Sequence, residues 1–255
     1  MDTRHTPKVY TIRQLREAQR PGQWRLVAVA MCAGAVATVA AAQPADLAQG
    51  AKIAAGSMAG ATACIGCHGP QGEGSAAFPR LAGAGQAYLQ AQLEAFATGS
   101  RKSPVMQPIA QKLAPADQAA VAVYYSQLAP PATIAVSEPA PADVGGWLAA
   151  RGRWVNQVPA CAQCHGVDGG GVGGKFPPLA GLPEAYILEQ FAAWKNGTRP
   201  PGPLGLMPAI AARLSDTEAT AVARYYAGLR SSSAPVAGAT ATPAVRATTS
   251  KGVMQ

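Results

Sequence analysis

A chain of 255 residues with a formal net charge of +8 has room for one large or two small domains. Its excess of basic residues is too modest and too scattered to suggest a nucleic-acid partner. Hydrophobic residues make up 49% of the chain, much of it alanine, with aromatics at only 6%, so any core built from side chains alone is thin for domains of this size.

The first 25 residues carry Arg4, Lys8, Arg13, Arg16, Arg20 and Arg25 against only Asp2 and Glu17. A charge-free stretch follows from Leu26 to Ala42 and ends in Ala40-Ala41-Ala42-Gln43, a small-residue cleavage pattern. The stretch is short and alanine-rich for a transmembrane helix, which needs about 20 strongly apolar residues. Residues 1–42 therefore read as an export signal, while the length of the basic leader keeps a retained membrane anchor through residues 26–42 open as the alternative. Cys32 inside the stretch has no lipobox around it and reads as a bystander. Cleavage after Ala42 leaves fifteen Lys and Arg against eleven Asp and Glu, a mild positive balance suited to docking on acidic partner surfaces.

Next come Cys64-Ile65-Gly66-Cys67-His68 and, ninety-seven residues later, Cys161-Ala162-Gln163-Cys164-His165. Four of the five cysteines and two of the three histidines fall inside these pentapeptides. The pattern is the attachment site of a c-type haem. Two cysteines three apart can form thioethers with the two vinyl groups of one porphyrin, and the adjacent histidine is then held against the iron. Other uses of CxxC fit less well. Zinc ribbons space their cysteine pairs by roughly 15–20 residues and would leave the two histidines unexplained. A thioredoxin-like redox pair needs a βαβ context, which is absent. Two covalently attached haem c groups are therefore expected, with Cys64, Cys67, Cys161 and Cys164 as the attachment residues and His68 and His165 as iron ligands. The porphyrins would supply the apolar mass that the composition lacks. Thioether attachment takes place outside the bacterial cytoplasm, which agrees with export to the periplasm.

The second half repeats the first beyond these motifs. Phe78-Pro79-Arg80-Leu81-Ala82-Gly83 matches Phe176-Pro177-Pro178-Leu179-Ala180-Gly181. Tyr88, Phe96 and Gly99 match Tyr186, Trp194 and Gly197, and Val123-Tyr124-Tyr125 matches Arg224-Tyr225-Tyr226. Tyr88, Leu89, Gln92, Leu93 and Phe96 share a face at helical spacing, as do Tyr186, Ile187, Gln190, Phe191 and Trp194, and Gly99 and Gly197 read as the stops. Ser215-Asp216-Thr217-Glu218 is a capping box for a last helix whose face is Val222, Tyr225, Tyr226 and Leu229. Its counterpart begins near Pro115 and presents Val121, Tyr124, Tyr125 and Leu128. The aromatic stripes read as core that includes the porphyrin edge. No run alternates at period two, so the expected fold is all-α with two tandem modules, residues 46–129 and 147–230. Residues 130–146 read as an extended Pro/Ala/Gly connector and residues 231–255 as a disordered tail.

A low-spin c-type haem takes a second protein ligand, methionine or histidine. The only other histidine, His5, lies in the leader, so neither haem can be bis-histidine in the mature chain. Met1 and Met31 lie in the leader, Met254 in the tail, and Met58 has no partner in the second copy. Met106 and Met207 remain, at equivalent places once an insertion within Pro200–Leu206 is allowed for. A lone methionine is usually core filler. Two at matched positions, each expected on a Pro-rich loop after a haem motif, point to axial ligands. Neutral, soft sulfur favours the ferrous state and raises the potential relative to His/His ligation. Filled axial positions also shut out small molecules, which favours an electron carrier over peroxide or gas chemistry.

On CIGCH and CAQCH, FPRLAG and FPPLAG with the following tyrosines, both Met-containing segments and the paired tyrosines of the closing helices, residues 50 to 230 resemble the two-haem cytochromes c of the cytochrome c4 type. The resemblance implies two class I cytochrome c domains, each wrapped around one covalent haem and related by a pseudo-twofold axis. It also implies that a proline carbonyl after each haem motif accepts the ligand histidine's free N–H, and Pro79 and Pro177 match that place. The implied function is periplasmic electron transfer toward a terminal oxidase, from a quinol-oxidising complex or a dehydrogenase. The alternative is a cytochrome subunit dedicated to one dehydrogenase. In both readings the chain has no catalytic residues of its own.

Overall fold

The computed structural model describes residues 44–57, 62–75, 78–134 and 136–229. The expected leader and anchor, with Cys32 and His5, lie outside the described residues, as do Met58, Met254 and the tail 231–255. The described residues belong to one compact unit, within which the same helical order occurs twice. The first copy runs α1 (Pro44–Ala54), α2 (Ile65–His68), α3 (Gln86–Ala97), α4 (Met106–Ala110) and α5 (Pro115–Gln127). The second runs α6 (Val144–Ala150), α7 (Ala162–His165), α8 (Glu184–Lys195), α9 (Leu206–Arg213) and α10 (Asp216–Gly228), with 3₁₀ turns at Trp154–Asn156 and Pro203–Gly205. Among the described residues there is no sheet; isolated bridges pair Arg153 with Val158 and Val172 with Phe176. The fold is all-α, as the patterning indicates.

In each copy the first helix crosses the last. A Cβ on Gly50 would lie 2.3 Å from the Ala120 carbonyl oxygen, and one on Gly145 would lie 2.2 Å from that of Ala221. Only glycine lets these backbones touch. Two glycines cost α6 roughly 1 kcal/mol each in helix propensity. The crossing offsets this, and the Asp143 carboxylate caps the helix by accepting from the Gly146 N–H at 2.9 Å. Val144–Gly146, expected as extended connector, is thus the first turn of α6.

The other helices obey the local signals. Pro115 stands in the first turn of α5, and the Ser215–Glu218 capping box is formed at α10. Past α3 and α8 the chain turns at Gly99 (φ 72°) and Gly197 (φ 67°), a left-handed conformation that glycine adopts without penalty. Each copy has its own core. Ile53, Leu89, Leu113, Val121, Tyr125 and Leu128 join alanines in the first, and Leu148, Val158, Ile187, Phe191, Val222 and Tyr226 in the second. The largest fully buried side chains among the described residues are Tyr226, Ile53, Val158 and Val222. Cores this light in bulk leave room for a large apolar group between the helices.

Candidate haem sites

Each CxxCH motif forms a single helical turn. The N–H groups of Cys67 and His68 both donate to the Cys64 carbonyl, at 3.2 and 2.9 Å, and those of Cys164 and His165 repeat this on Cys161. One turn brings positions i, i+3 and i+4 to one side, so both cysteines and the histidine of each motif face the same space. A glycine ends each turn, Gly69 at φ 83° and Gly166 at φ 86°. Among the described residues the four cysteines form no disulfide. Burial pushes the Cys64 thiol up, and the Cys161 thiol up to about 11, so neither behaves as the thiolate that disulfide exchange requires.

The His68 Nδ1–H donates to the Pro79 carbonyl oxygen at 2.8 Å, and the His165 Nδ1–H to that of Pro177 at 2.7 Å. A carbonyl can only accept, which fixes the tautomer and leaves the Nε2 lone pair of each ring available to a metal. Burial holds both imidazoles below the ordinary histidine value, against the upward pull of the proline carbonyls, so both are neutral. Phe78 and Phe176 meet these rings edge-on, with centroids 6.0 and 6.5 Å apart. The loops that carry the prolines are pinned back onto the motif loops. Leu81 and Ala82 donate their N–H groups to the Gly72 carbonyl, and Leu179 and Ala180 donate theirs to that of Gly169.

Met106 and Met207 lie in the first turns of α4 and α9, where loops were expected. Pro108 and Pro208 fall within those first turns, where a missing N–H costs nothing. Both methionines line a cavity of about 600 Å³, together with all four motif cysteines, both histidines and both prolines. The volume is in the range of small-molecule and cofactor sites. Its wall is largely apolar, and each copy contributes two cysteines, a neutral imidazole with a free Nε2 and a thioether. That donor set suits a thioether-linked porphyrin with one iron. Duplicated in one helical fold, it defines a c-type cytochrome with two haems.

Comparison with known proteins agrees. The family described as cytochrome c matches residues 50–129, and the one described as cytochrome c oxidase, cbb3-type, subunit III matches residues 148–225. The thiosulfate dehydrogenase electron acceptor of Stutzerimonas stutzeri is 42% identical over 76% of this chain and 92% of its own length. Cytochrome c4 of Pseudomonas aeruginosa is 33% identical over 72% of this chain and 92% of its own. Among solved structures, reduced recombinant cytochrome c4 from Pseudomonas stutzeri matches with a TM-score of 0.62 at 30% identity, over 72% of this chain and 98% of that one. The as-isolated thiosulfate dehydrogenase from Marichromatium purpuratum matches with a TM-score of 0.65 at 44% identity; the match covers 71% of this chain but only 40% of that larger chain. This chain belongs to the cytochrome c4 type of diheme cytochromes c. It carries two covalently bound haem c groups and works as an electron carrier.

Sequence reasoning passed over one polar group in the cavity wall. Helical periodicity places Gln92 and Gln190 on helix faces but does not single out Arg101 and Arg199. The signal was available, because all four repeat at the offset that relates Tyr88 to Tyr186.

Proposed function

We propose that this chain is a periplasmic one-electron carrier with His68 and Met106 as axial ligands of one haem and His165 and Met207 as those of the other. The observation that carries the ligation is the matched pair of proline-bonded imidazoles and methionines lining one cavity. Held in this way by a histidine and a methionine from each copy, the two haems would supply one-electron chemistry, and four protein ligands that stay in place would keep the reorganisation of each transfer small. The periplasmic assignment rests on the basic leader with its Ala42 cleavage pattern and on the site of thioether attachment in bacteria. No helix among the described residues is long and apolar enough to cross a membrane.

For the electron donor, we favour a dehydrogenase that oxidises thiosulfate. Two relatives named as thiosulfate dehydrogenase electron acceptors, from Stutzerimonas stutzeri and Thiomonas intermedia, are 42% and 44% identical, against 31–36% for the cytochromes c4. The second reading takes electrons from a quinol-oxidising complex and delivers them to a terminal oxidase. The discriminating experiment mixes oxidised protein anaerobically with thiosulfate dehydrogenase and thiosulfate, and separately with a quinol-oxidising complex and quinol. Rapid reduction of both haems in the first mixture supports the dehydrogenase as donor. Reduction in the second alone overturns it. The sulfur-to-iron charge-transfer absorption of the ferric protein tests the methionine ligation independently.

A further inference from the structure

Tyr125 in α5 and Tyr226 in α10 are each 2% exposed, and both line the cavity. Their rings are held from two sides. Each meets its neighbour edge-on, Tyr124 at 5.1 Å between centroids and Tyr225 at 5.2 Å. The loop after the CxxCH turn passes against the ring at Gly72 in one copy and at Gly169 in the other, with no room there for a side chain. The backbone is tied as well. The Gly83 N–H donates to the Tyr125 carbonyl at 3.0 Å, and the Gly181 N–H to that of Tyr226 at 2.7 Å. A ring fixed in this way aims its hydroxyl at one place.

That place is the sulfur of the first cysteine in each motif. The Tyr125 hydroxyl is buried and makes no hydrogen bond. A hydroxyl left so costs free energy, and tyrosines in protein interiors usually find a partner. The Cys64 sulfur is the polar group beside it, and the Cys161 sulfur stands in the same relation to Tyr226. Burial pushes all four groups up, and the hydroxyl beside each sulfur offsets part of the rise in that thiol. A free thiol has a proton of its own to place, and the Cys161 S–H donates to the Leu148 carbonyl oxygen at 3.7 Å. Attachment removes that proton. As the S–C bond forms to one vinyl carbon, the thiol hydrogen goes to the other, and the sulfur keeps only lone pairs. It can then accept but not donate. The tyrosine O–H is the donor already set beside it.

We infer that Tyr125 and Tyr226 donate O–H hydrogen bonds to the thioether sulfurs of Cys64 and Cys161, one for each haem, and so raise the potential of the haem in their own copy. The inference rests on the two-haem reading above. An O–H aimed at the sulfur puts the positive end of its dipole at the porphyrin edge, where it favours ferrous over ferric iron. In a dry site a dipole of fixed direction is little screened. A thioether is a weak acceptor, so the effect is modest. Its mark is locality, because each hydroxyl serves one haem.

The test is an optical redox titration of holoprotein carrying Tyr125→Phe or Tyr226→Phe, with both haems first verified by intact mass. Two one-electron steps in the wild type establish the two-haem reading separately. Phenylalanine keeps the ring and its packing and removes only the O–H. Each variant is expected to lower one step, a different one in each, by roughly two- to fivefold in the ferrous-to-ferric ratio. At ~59 mV per tenfold for one electron, that is about 20–40 mV. The double variant lowers both steps. Resonance Raman of the reduced variants should show the carbon–sulfur stretching band of the affected haem displaced. A step that holds, both steps moving together in a single variant, or a potential shift with unmoved carbon–sulfur bands overturns the inference. Should Tyr125→Phe fail to retain both haems, Tyr226→Phe carries the test in the other copy. Loss of haem from both variants also overturns it, because the hydroxyls then belong to the scaffold.

Discussion

The two copies agree around the cavity and diverge at the surface. In both, the motif turn is followed by a left-handed glycine, a proline carbonyl fixes the histidine, and a methionine opens a short helix on the cavity. Facing solvent, they part company. The second copy inserts three residues ahead of its methionine, and Leu204 in that loop stands 93% exposed at φ 56°. It also carries a turn at Trp154–Asn156 that leaves Val155 89% exposed. At the matching place before Met106, the first copy has Ser103, whose hydroxyl accepts from the Met106 N–H at 3.1 Å. After duplication, ligand geometry tolerates little change because a displaced donor loses the metal. Loops tolerate more, and they are what a partner protein meets. The copies should therefore share ligation chemistry and differ in exposure.

The severest way to break that comparison is to remove one attachment site. Cys64→Ser combined with Cys67→Ser is expected to lose one covalent haem, halving the haem-stained signal and lowering the intact mass by one haem. Retention of two haems refutes attachment at the first motif. Next in size, Met106→Ala or Met207→Ala should keep the covalent haem but lower that haem's potential by roughly 100 mV or more, within the ~0.8 V range over which axial ligands act. Carbon monoxide should then perturb the reduced Soret band of the variant and leave the wild type unchanged. If the potential holds in either variant, that methionine is packing and the copies differ at the iron.

A smaller effect probes the scaffold behind the ligands. Gly72 (φ 70°) and Gly169 (φ 67°) pass so close to Tyr125 and Tyr226 that an added Cβ would lie 2.7 and 2.8 Å from the rings. Gly72→Ala and Gly169→Ala should each destabilise the holoprotein by about 1–3 kcal/mol, read as lowered thermal midpoints. Near-equal losses follow from near-equal geometry. A cost in only one copy shows that the loops around the two haems differ in rigidity.

Covalent and periodic constraints made much of this legible in the sequence. CxxCH needs only five residues to announce itself, the duplication isolates Met106 and Met207 by elimination, and α3, α5, α8 and α10 carry apolar faces at helical spacing. Helices α1 and α6 were not anticipated, because the glycines that weaken them locally are what permit their crossings with α5 and α10. Tertiary contact there overrides propensity. The helical setting of both methionines was obscured by neighbouring prolines, which read as loop unless the residue falls in a first turn. The arginine cluster was hidden for a different reason. Its meaning depends on contact between the copies, which no window within one copy contains.

The finest comparison concerns the last helix of each copy. Ser215 and Ala114 hold the same extended backbone at their N-caps, φ/ψ −66°/160° and −61°/155°, but only Ser215 has an oxygen to offer the Glu218 N–H. Ser215→Ala should cost about 1 kcal/mol, and Ala114→Ser should gain less, because Asp117 stands where the second copy has the longer glutamate. The two effects should separate with pH. Desolvation pushes the Glu218 carboxyl up, but bonds from the Ser215 N–H and hydroxyl and from Arg153 outweigh it and hold the value below the ordinary glutamate range. A carboxylate favoured by folding adds stability that is present in full above the unfolded value, near pH ~4.3, and is lost as pH falls through the lower folded one. In chemical denaturation between pH 7 and pH 3, the cost of Ser215→Ala should therefore shrink toward the acid end, while the gain of Ala114→Ser, which has no glutamate to draw on, stays nearly level. Parallel pH profiles for the two variants would place the stabilisation of α10 in the serine hydroxyl alone and leave the carboxylate without a part in it.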